Sequence, residues 1–411
     1  MTFKSEFLNI LTERGFIHQV TDTTKLDLFL KNNVSKAYIG FDCTAPSLHV
    51  GSLMQIMMLR WFQKCGHCPI VLMGGGTTKI GDPSGKDSAR PILSTSKIDQ
   101  NKASIKKNFE KFLNFSNKSN KAIMIDNSSW LDNLNYISFL RDYGTSFSVN
   151  KMLSLDSIKL RLDRQQNLSF LEFNYPIFQA FDFLVLNKKY NCVLQMGGSD
   201  QWGNIVNGVE LVRKKNNSQV FGLTSPLLTT SSGSKMGKSE KGAIWLSPEL
   251  LSDYDFWQYW RNTEDEDVIK FLKLFTELNI TDLKKMSKLR GSKLNEAKII
   301  LANEVTKLCR GEKQALKSFK VAKDTFDEKQ LNSNLPSEKI NKEQISIIEI
   351  LNLLQFVKSN GEARRLIRGK GVKINNDLVV DENLEIKKNE FSNKNIKVSA
   401  GKKRHAIIYF K

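Results

Sequence analysis

The chain has 411 residues, 40% of them hydrophobic and 26% charged, with 24 glycines and 8 prolines. That length exceeds one ordinary core and implies two or three domains, and the composition excludes a low-complexity or collagen-like protein. No apolar run is long enough to span a bilayer, and the opening "MTFKSEFLNILTERG" sets acids among its apolar residues, the wrong pattern for a signal peptide. The expectation is a cytoplasmic protein without a membrane partner.

In chain order, "KAYIGFD" (36–42) predicts a strand, residues 48–64 a helix and "PIVLMGGG" (69–76) a strand. "KAIMID" (121–126) predicts another strand, "LDNLNYISFLRDYG" (131–144) and "YPIFQAFDFLVL" (175–186) helices, and "NCVLQMGG" (191–198) a strand running into a helix from residue 199. Strands alternating with helices indicate an α/β doubly wound, Rossmann-like parallel sheet over residues 1–245. Such sheets bind ligands at the carboxyl ends of their strands. From 246 to 326 the strand signals vanish and a helical domain is expected. Residues 327–344 are polar and read as a linker. Residues 345–411 read as a small α+β domain.

The net charge is +19, and residues 351–411 alone hold 14 Lys and Arg against 6 Asp and Glu. A polyanionic partner at that end is the natural reading. The 5 cysteines have no framework spacing, which suits a reducing compartment. "CGHC" (65–68) imitates a disulfide-exchange motif. It follows a helix and precedes a strand, however, the reverse of what such a site needs. No second Cys/His pair completes a zinc site, so no structural metal is expected.

Five stretches carry chemistry. In "YIGFDCTAPSLHVGSL" (38–53) a strand ends and a helix begins near residue 47 or 48, placing His49 and Gly51 in a first turn, where free N–H groups favour anions. Gly51 is a poor helix residue, which implies a close approach to its backbone. "GGGTTKIGDPSGKDSAR" (74–90) is not a Walker A loop, since Ile80 stands where that motif needs glycine, but it offers Asp82 beside a glycine turn. In the apolar helix from 175, Tyr175, Gln179 and Asp182 stand at i, i+4 and i+7, one polar stripe. A buried carboxylate there needs partners. Arg141 or Arg161 would supply an internal ion pair; otherwise the stripe faces a small polar or aromatic ligand. "MGGSDQWGN" (196–204) places Asp200 as an N-cap or first-turn acid. "SSGSKMGKSEKG" (231–242) sets Lys235 and Lys238 among glycines, on a loop able to close over a phosphate chain or simply to be solvated.

Together "HVGS" (49–52), "GDPSG" (81–85), "YPIFQAFD" (175–182), "GGSDQWGN" (197–204) and "KMGKS" (235–239) resemble the bacterial tyrosine–tRNA ligases of class I, in order and interval. "EARRLIRGKGVKINN" (362–376) is similar to an S4-type RNA-binding domain, and the resemblance covers nearly the whole chain. It implies that Tyr38 and Asp182 bracket the phenolic hydroxyl of L-tyrosine, while Asp82, Tyr175 and Gln179 hold its ammonium. His49, Gly51, Thr44 and Asp42 would lie along ATP, with Asp200 and Gln201 near the ribose and the carboxylate. Lys235, Lys238 and Ser239 would meet the pyrophosphate, with Lys86 and Arg90 nearby. Ser52 stands where a second histidine is usual and would donate one hydrogen bond to a ribose oxygen.

The implied reaction is attack of the tyrosine carboxylate on the α-phosphorus of ATP, with Mg²⁺ on the phosphates, then transfer to the terminal adenosine of tRNA(Tyr). Selectivity against phenylalanine would rest on the polar pair at the hydroxyl, a rule for which this family is itself the usual illustration. Arg364, Arg365, Arg368, Lys370 and Lys373 would face RNA backbone, and a homodimer is implied. Three rival readings are weaker. A small-molecule nucleotidyltransferase needs no RNA module. A tryptophan-specific ligase does not need both Tyr38 and Asp182 at a hydroxyl, and a silent RNA-binding factor does not need the lysine loop.

Overall fold

The alternating signals up to residue 230 become one six-stranded sheet. Its strands are β1 (Gln19–Val20), β2 (Lys36–Asp42), β3 (Cys68–Gly74), β4 (Ile123–Asp126), β5 (Cys192–Gly198) and β6 (Phe221–Ser225), in the order β1-β6-β5-β2-β3-β4. Neighbours run parallel except β1, which is antiparallel to β6. Helices cover both faces of a parallel sheet, so its strands read as continuous apolar runs; every residue of β3 is buried. From β2 the chain passes to β3 on one side and later returns to β5 on the other. The crevice between the carboxyl ends of β2 and β5 is therefore a topological switch point.

This computed structural model describes residues 2–84, 92–116, 119–231, 233, 236–239, 242–326, 335–375, 377–388, 395–401 and 404–410. The chain divides into two compact units, Met1–Ala315 and Leu316–Lys411.

Three helices frame the crevice: α1 (Leu53–Lys64), α2 (Tyr175–Tyr190) and α3 (Trp202–Asn216). Pro176 sits in the first turn of α2, where its missing N–H costs nothing, and Asn191 ends the helix in the left-handed region at φ 54°. The apolar residues of α2 pack on the sheet, with Ile177, Phe181, Phe183 and Leu184 against Tyr38, Ile70 and Leu72. Burying each such side chain contributes about 1.5–3 kcal/mol. The region after residue 246 is helical, as its pattern predicts, with α4 (Asp253–Arg261), α5 (Val268–Phe275) and α6 (Leu294–Arg310). Trp260 lies at its centre, 5.1 Å from the ring of Phe275.

Several local expectations differ. The helix expected over 131–144 is broken: a short turn spans Ser128–Leu131, and a new helix, Tyr136–Tyr143, starts where the Asn135 side chain accepts the Ser138 N–H. A polar cap residue inside an apolar pattern resets the helix. The helix after β2 begins only at Leu53, behind a 3₁₀ turn at Val50–Ser52. The segment read as a linker contains a strand, Ser337–Ile340. That strand pairs parallel with Arg404–Phe410 at the edge of the second unit's five-stranded sheet. Only Ile340 of it is buried, which is why its composition looks like linker. The second unit has its own core, with Ile350, Leu351, Ile367, Val372 and Ile408 fully buried. Among the described residues, no helix is long and apolar enough to cross a membrane.

Candidate active site

The carboxyl ends of β2, β3 and β5, together with α2, enclose a cavity of about 470 Å³. Side chains on a strand alternate, so Tyr38, Gly40 and Asp42 share one face of β2. Tyr38 is buried with its ring 5.3 Å from that of Phe183. Its hydroxyl has no hydrogen-bond partner among the described residues. Burial, and then the nearby Asp182, hold that phenol far above its ordinary ionisation range.

Asp182 is 2% exposed. One carboxylate oxygen accepts from Asn127 Nδ2 at 2.9 Å and the other from Trp130 Nε1 at 2.8 Å. The internal ion pair weighed from sequence is not formed, because Arg161 pairs with Glu172 and Arg141 with Asp142. Burial pushes the Asp182 carboxyl up to about 7, with the two donors pulling the other way. Asn127 is itself fixed, since its Oδ1 accepts the Gly76 N–H at 2.8 Å. Neither Asn127 nor Trp130 was singled out from sequence. The available signal was position: both follow directly on the carboxyl end of β4, where ligand-facing residues gather.

The other two members of the stripe join separate networks. The Tyr175 hydroxyl donates to Asp42 Oδ2 at 3.2 Å, and Thr77 Oγ1 donates to Asp42 Oδ1 at 2.8 Å. Gln179 Oε1 accepts from Asn204 Nδ2, which also reaches Gln201 Oε1, both at 3.1 Å. Gln201 Nε2 donates to Asp82 Oδ2 at 2.8 Å. The glycine run after β3 is explained by close packing. A Cβ on Gly74 would lie 2.3 Å from Asp42 Oδ1, and one on Gly75 would lie 2.2 Å from Asp126 Oδ1.

His49 caps the 3₁₀ turn, its Nδ1 accepting the Gly51 N–H at 2.9 Å. An accepting Nδ1 leaves the proton of a neutral imidazole on Nε2. The close approach expected at Gly51 comes from the chain itself: a Cβ there would meet the His49 ring at 2.6 Å and the Met236 carbonyl at 3.4 Å. Gly237, at φ +100°, is equally close to Gly51, so the described part of the lysine signature packs on the histidine signature. Asp200 lies exposed in the turn Ser199–Gln201, and the N-cap position of the helix that follows is taken by Gln201.

The structure thus gathers most of the sequence-assigned residues into one place. Tyr38, Asp82, Tyr175, Gln179, Asp182 and Gln201 all line the cavity, as do Asp42, Thr44, His49, Gly51, Ser52 and Asp200. Lys86, Arg90 and Lys235 lie outside the described residues. The backbone of Lys238–Ser239 pairs with Gly242–Ala243 in a short hairpin, and their side chains lie outside the description. Gln55, Gln195 and Trp245 also line the cavity and carry no sequence signal of their own. "CGHC" is structural, as expected. Cys65 caps α1, His67 stacks on Phe62 at 4.6 Å, and burial pushes the Cys65 thiol up to about 12.

In the second unit, the helix Asn360–Arg368 buries Ala363 and Ile367 and exposes Arg364 and Arg365, with Lys370 and Lys373 exposed just beyond. Arg368 differs from its neighbours: its guanidinium is held by both oxygens of Glu382, at 2.9 and 3.0 Å.

Residues 30–327 match the model of the class I tRNA synthetases for tryptophan and tyrosine. Residues 327–408 match that of the C-terminal domain of tyrosine–tRNA ligases. The chain belongs to the class I tyrosine–tRNA ligases. It is 56% identical to the tyrosine–tRNA ligase of Zymomonas mobilis, over 99% of this chain and 98% of that one. The corresponding enzyme of Wolbachia pipientis is 54% identical, again over 99% and 98%. The crystal structure of a C-terminally truncated mitochondrial tyrosyl-tRNA synthetase from Aspergillus nidulans superposes with a TM-score of 0.70 at 30% identity, covering 78% of this chain and 94% of that one. This ligase is an ATP-using enzyme that attaches tyrosine to tRNA through tyrosyl-adenylate.

Proposed function

We propose that the cavity binds tyrosine with its phenol between Tyr38 and Asp182, and the magnesium complex of ATP along Asp42, Thr44, His49, Gly51, Ser52 and Asp200. The observation that carries this reading is the buried pair at the inner wall. A hydroxyl with no partner among the described residues stands near a carboxylate that holds only neutral donors. A phenol can donate to Asp182 and accept from Tyr38, satisfying both. The ammonium fits the opposite wall, where Asp82, Tyr175 and Gln179 supply charge and acceptors, and Gln201 orients Asp82.

The nucleophile, a carboxylate, is already anionic, so the reaction calls for no side-chain base. It calls for alignment and for positive charge where phosphate oxygens grow more negative. His49 offers its Nε2–H, fixed by the bond at Nδ1, and Lys235 and Lys238 add ammonium groups, joined by Lys86, Arg90 and Ser239. In the second step the terminal adenosine hydroxyl of tRNA(Tyr) attacks the adenylate. Arg364, Arg365, Lys370 and Lys373 hold RNA backbone, with a salt-dependent affinity. Arg368 joins them once RNA displaces Glu382, at small cost because exposed ion pairs are weak. Between residues 136 and 171, Ile137 (71% exposed), Phe170 (69%) and Val149 (60%) are large apolar side chains left bare in the single chain. Their concentration in one stretch of the chain supports a homodimer. The setting of the reaction is the cytoplasm.

Pyrophosphate exchange run with each amino acid in turn tests the reading. Tyrosine alone supports exchange; efficient exchange with any other amino acid refutes the pocket. Tyr38→Phe removes one neutral hydrogen bond, worth about 1 kcal/mol. It lowers kcat/KM for tyrosine about 5- to 10-fold and narrows the margin over phenylalanine. An unchanged margin would remove Tyr38 from selectivity.

A further inference from the structure

Both ends of the segment that carries Lys235 and Lys238 are tied to the helical region after residue 246. On the entering side, the Ser231 N–H donates to Asp267 Oδ2 at 2.7 Å, and Lys270 Nζ donates to the Thr229 carbonyl at 2.8 Å. On the leaving side, residues 244–246 run antiparallel to the His49 turn. Val50 N–H donates to the Ile244 carbonyl at 2.9 Å and Leu246 N–H to the Leu48 carbonyl at 2.8 Å. The Trp245 carbonyl, between those two bonds, accepts from Arg310 Nη2 at 2.8 Å. Tyr259 of α4 also places its hydroxyl within reach of the Gly237 N–H, in the middle of the signature.

Arg310 is an expensive way to hold one carbonyl. It is 6% exposed, its guanidinium lies 4.7 Å from the Phe256 ring centre, and its ion pair with Asp253 is long at 3.7 Å. Its Nε has no hydrogen-bond partner among the described residues. A buried charge so incompletely satisfied adds little net stability, because its desolvation offsets what its one long ion pair gains. The fold gains little from this charge, whereas the lysine segment gains a fixed end. Asp267, 4% exposed at the start of α5, does the same for the other end.

We infer that Arg310 and Asp267 are positioning residues for adenylate formation, which set where the lysine-bearing segment meets the His49 turn by holding the backbones of Trp245 and Ser231. The inference rests on the proposed role of Lys235 and Lys238 at the pyrophosphate. Neither residue lines the cavity, and Trp245, which does, is paired with His49 rather than with the Tyr38–Asp182 wall, so tyrosine affinity changes little with either.

The test uses the full-length enzyme in tyrosine-dependent pyrophosphate exchange, with thermal unfolding measured in parallel. Arg310→Met leaves the enzyme folded, with Tm lowered by no more than a few degrees, and KM for tyrosine within about twofold. It lowers kcat about 10- to 100-fold, the cost of a displacement of about 1 Å. Asp267→Ala shows the same split, and Arg310→Lys recovers part of the loss. In a Lys235→Ala background, Arg310→Met costs less than it does alone, because the part of its effect that passes through the Lys235 ammonium is already lost and only the part through Lys238 remains. Folded variants with wild-type kcat, or full additivity with Lys235→Ala, overturn the assignment. So does loss of the fold in both Arg310→Met and Asp267→Ala, which would make the two residues structural. A wild-type enzyme without tyrosine-dependent exchange would instead sink the reading of the cavity itself.

Discussion

Asp182→Asn lowers kcat/KM for tyrosine in pyrophosphate exchange by on the order of 100-fold and leaves KM for ATP nearly unchanged. Two costs combine. The phenol loses a charged acceptor, a bond worth about 1.5–3 kcal/mol. The carboxamide also turns its NH₂ toward a donor, because both Asp182 oxygens already accept, from Asn127 and Trp130. Asn127 cannot flip to relieve this without abandoning the Gly76 N–H. Exchange kinetics with tyrosine and ATP varied separately give the check, and an unchanged kcat/KM for tyrosine would end the assignment of this pocket.

The same residue sets a pH dependence. Burial lifts the Asp182 carboxyl from 3.8 to about 7, so in the free enzyme it is ionised above neutrality and increasingly protonated below. Since kcat/KM reports the free enzyme and the phenol needs the ionised acceptor, kcat/KM for tyrosine is flat above about pH 7. Below that it falls about tenfold per unit. Asp182→Asn abolishes the slope along with most of the activity. A wild-type profile flat down to pH 5 would show that tyrosine does not meet the carboxylate.

What sequence made legible here follows from geometry. Tyr175, Gln179 and Asp182 were visible because polar residues at helical spacing interrupt an otherwise apolar helix, and the structure turns all three into one cavity. The partners of Asp182 were not visible. Asn127 and Trp130 come from the end of another strand, and no periodicity links a strand end to a helix some fifty residues away in sequence. The start of α1 was misplaced for a related reason. A 3₁₀ turn at Val50–Ser52, capped by the His49 side chain, lies between strand and helix. Sequence patterns of period 3.6 do not register so short an element. Strands β1 and β6 were missed as well. The first has two residues, and the second has only five, of which glycine, threonine and serine make up three.

Ending the chain after residue 326 leaves pyrophosphate exchange within about twofold of wild type and reduces tRNA charging by on the order of 100-fold. The residues proposed for tyrosine and ATP all lie between 38 and 239, and the second unit has a core of its own. The removed part carries the cationic helix face, so the charging that remains should also lose much of its salt dependence. The cut must fall before Ser337. Ending the chain at 344, as the linker reading suggests, would strand Ser337–Ile340 without its partner Arg404–Phe410, and unpaired strands invite association between chains. Arg364→Glu with Arg365→Glu, both exposed and on one helix face, separates charge from fold. These changes weaken charging at low salt more than at high salt, while exchange and Tm stay put. If the truncated enzyme charges tRNA as well as the full chain does, the second unit takes no part in holding RNA.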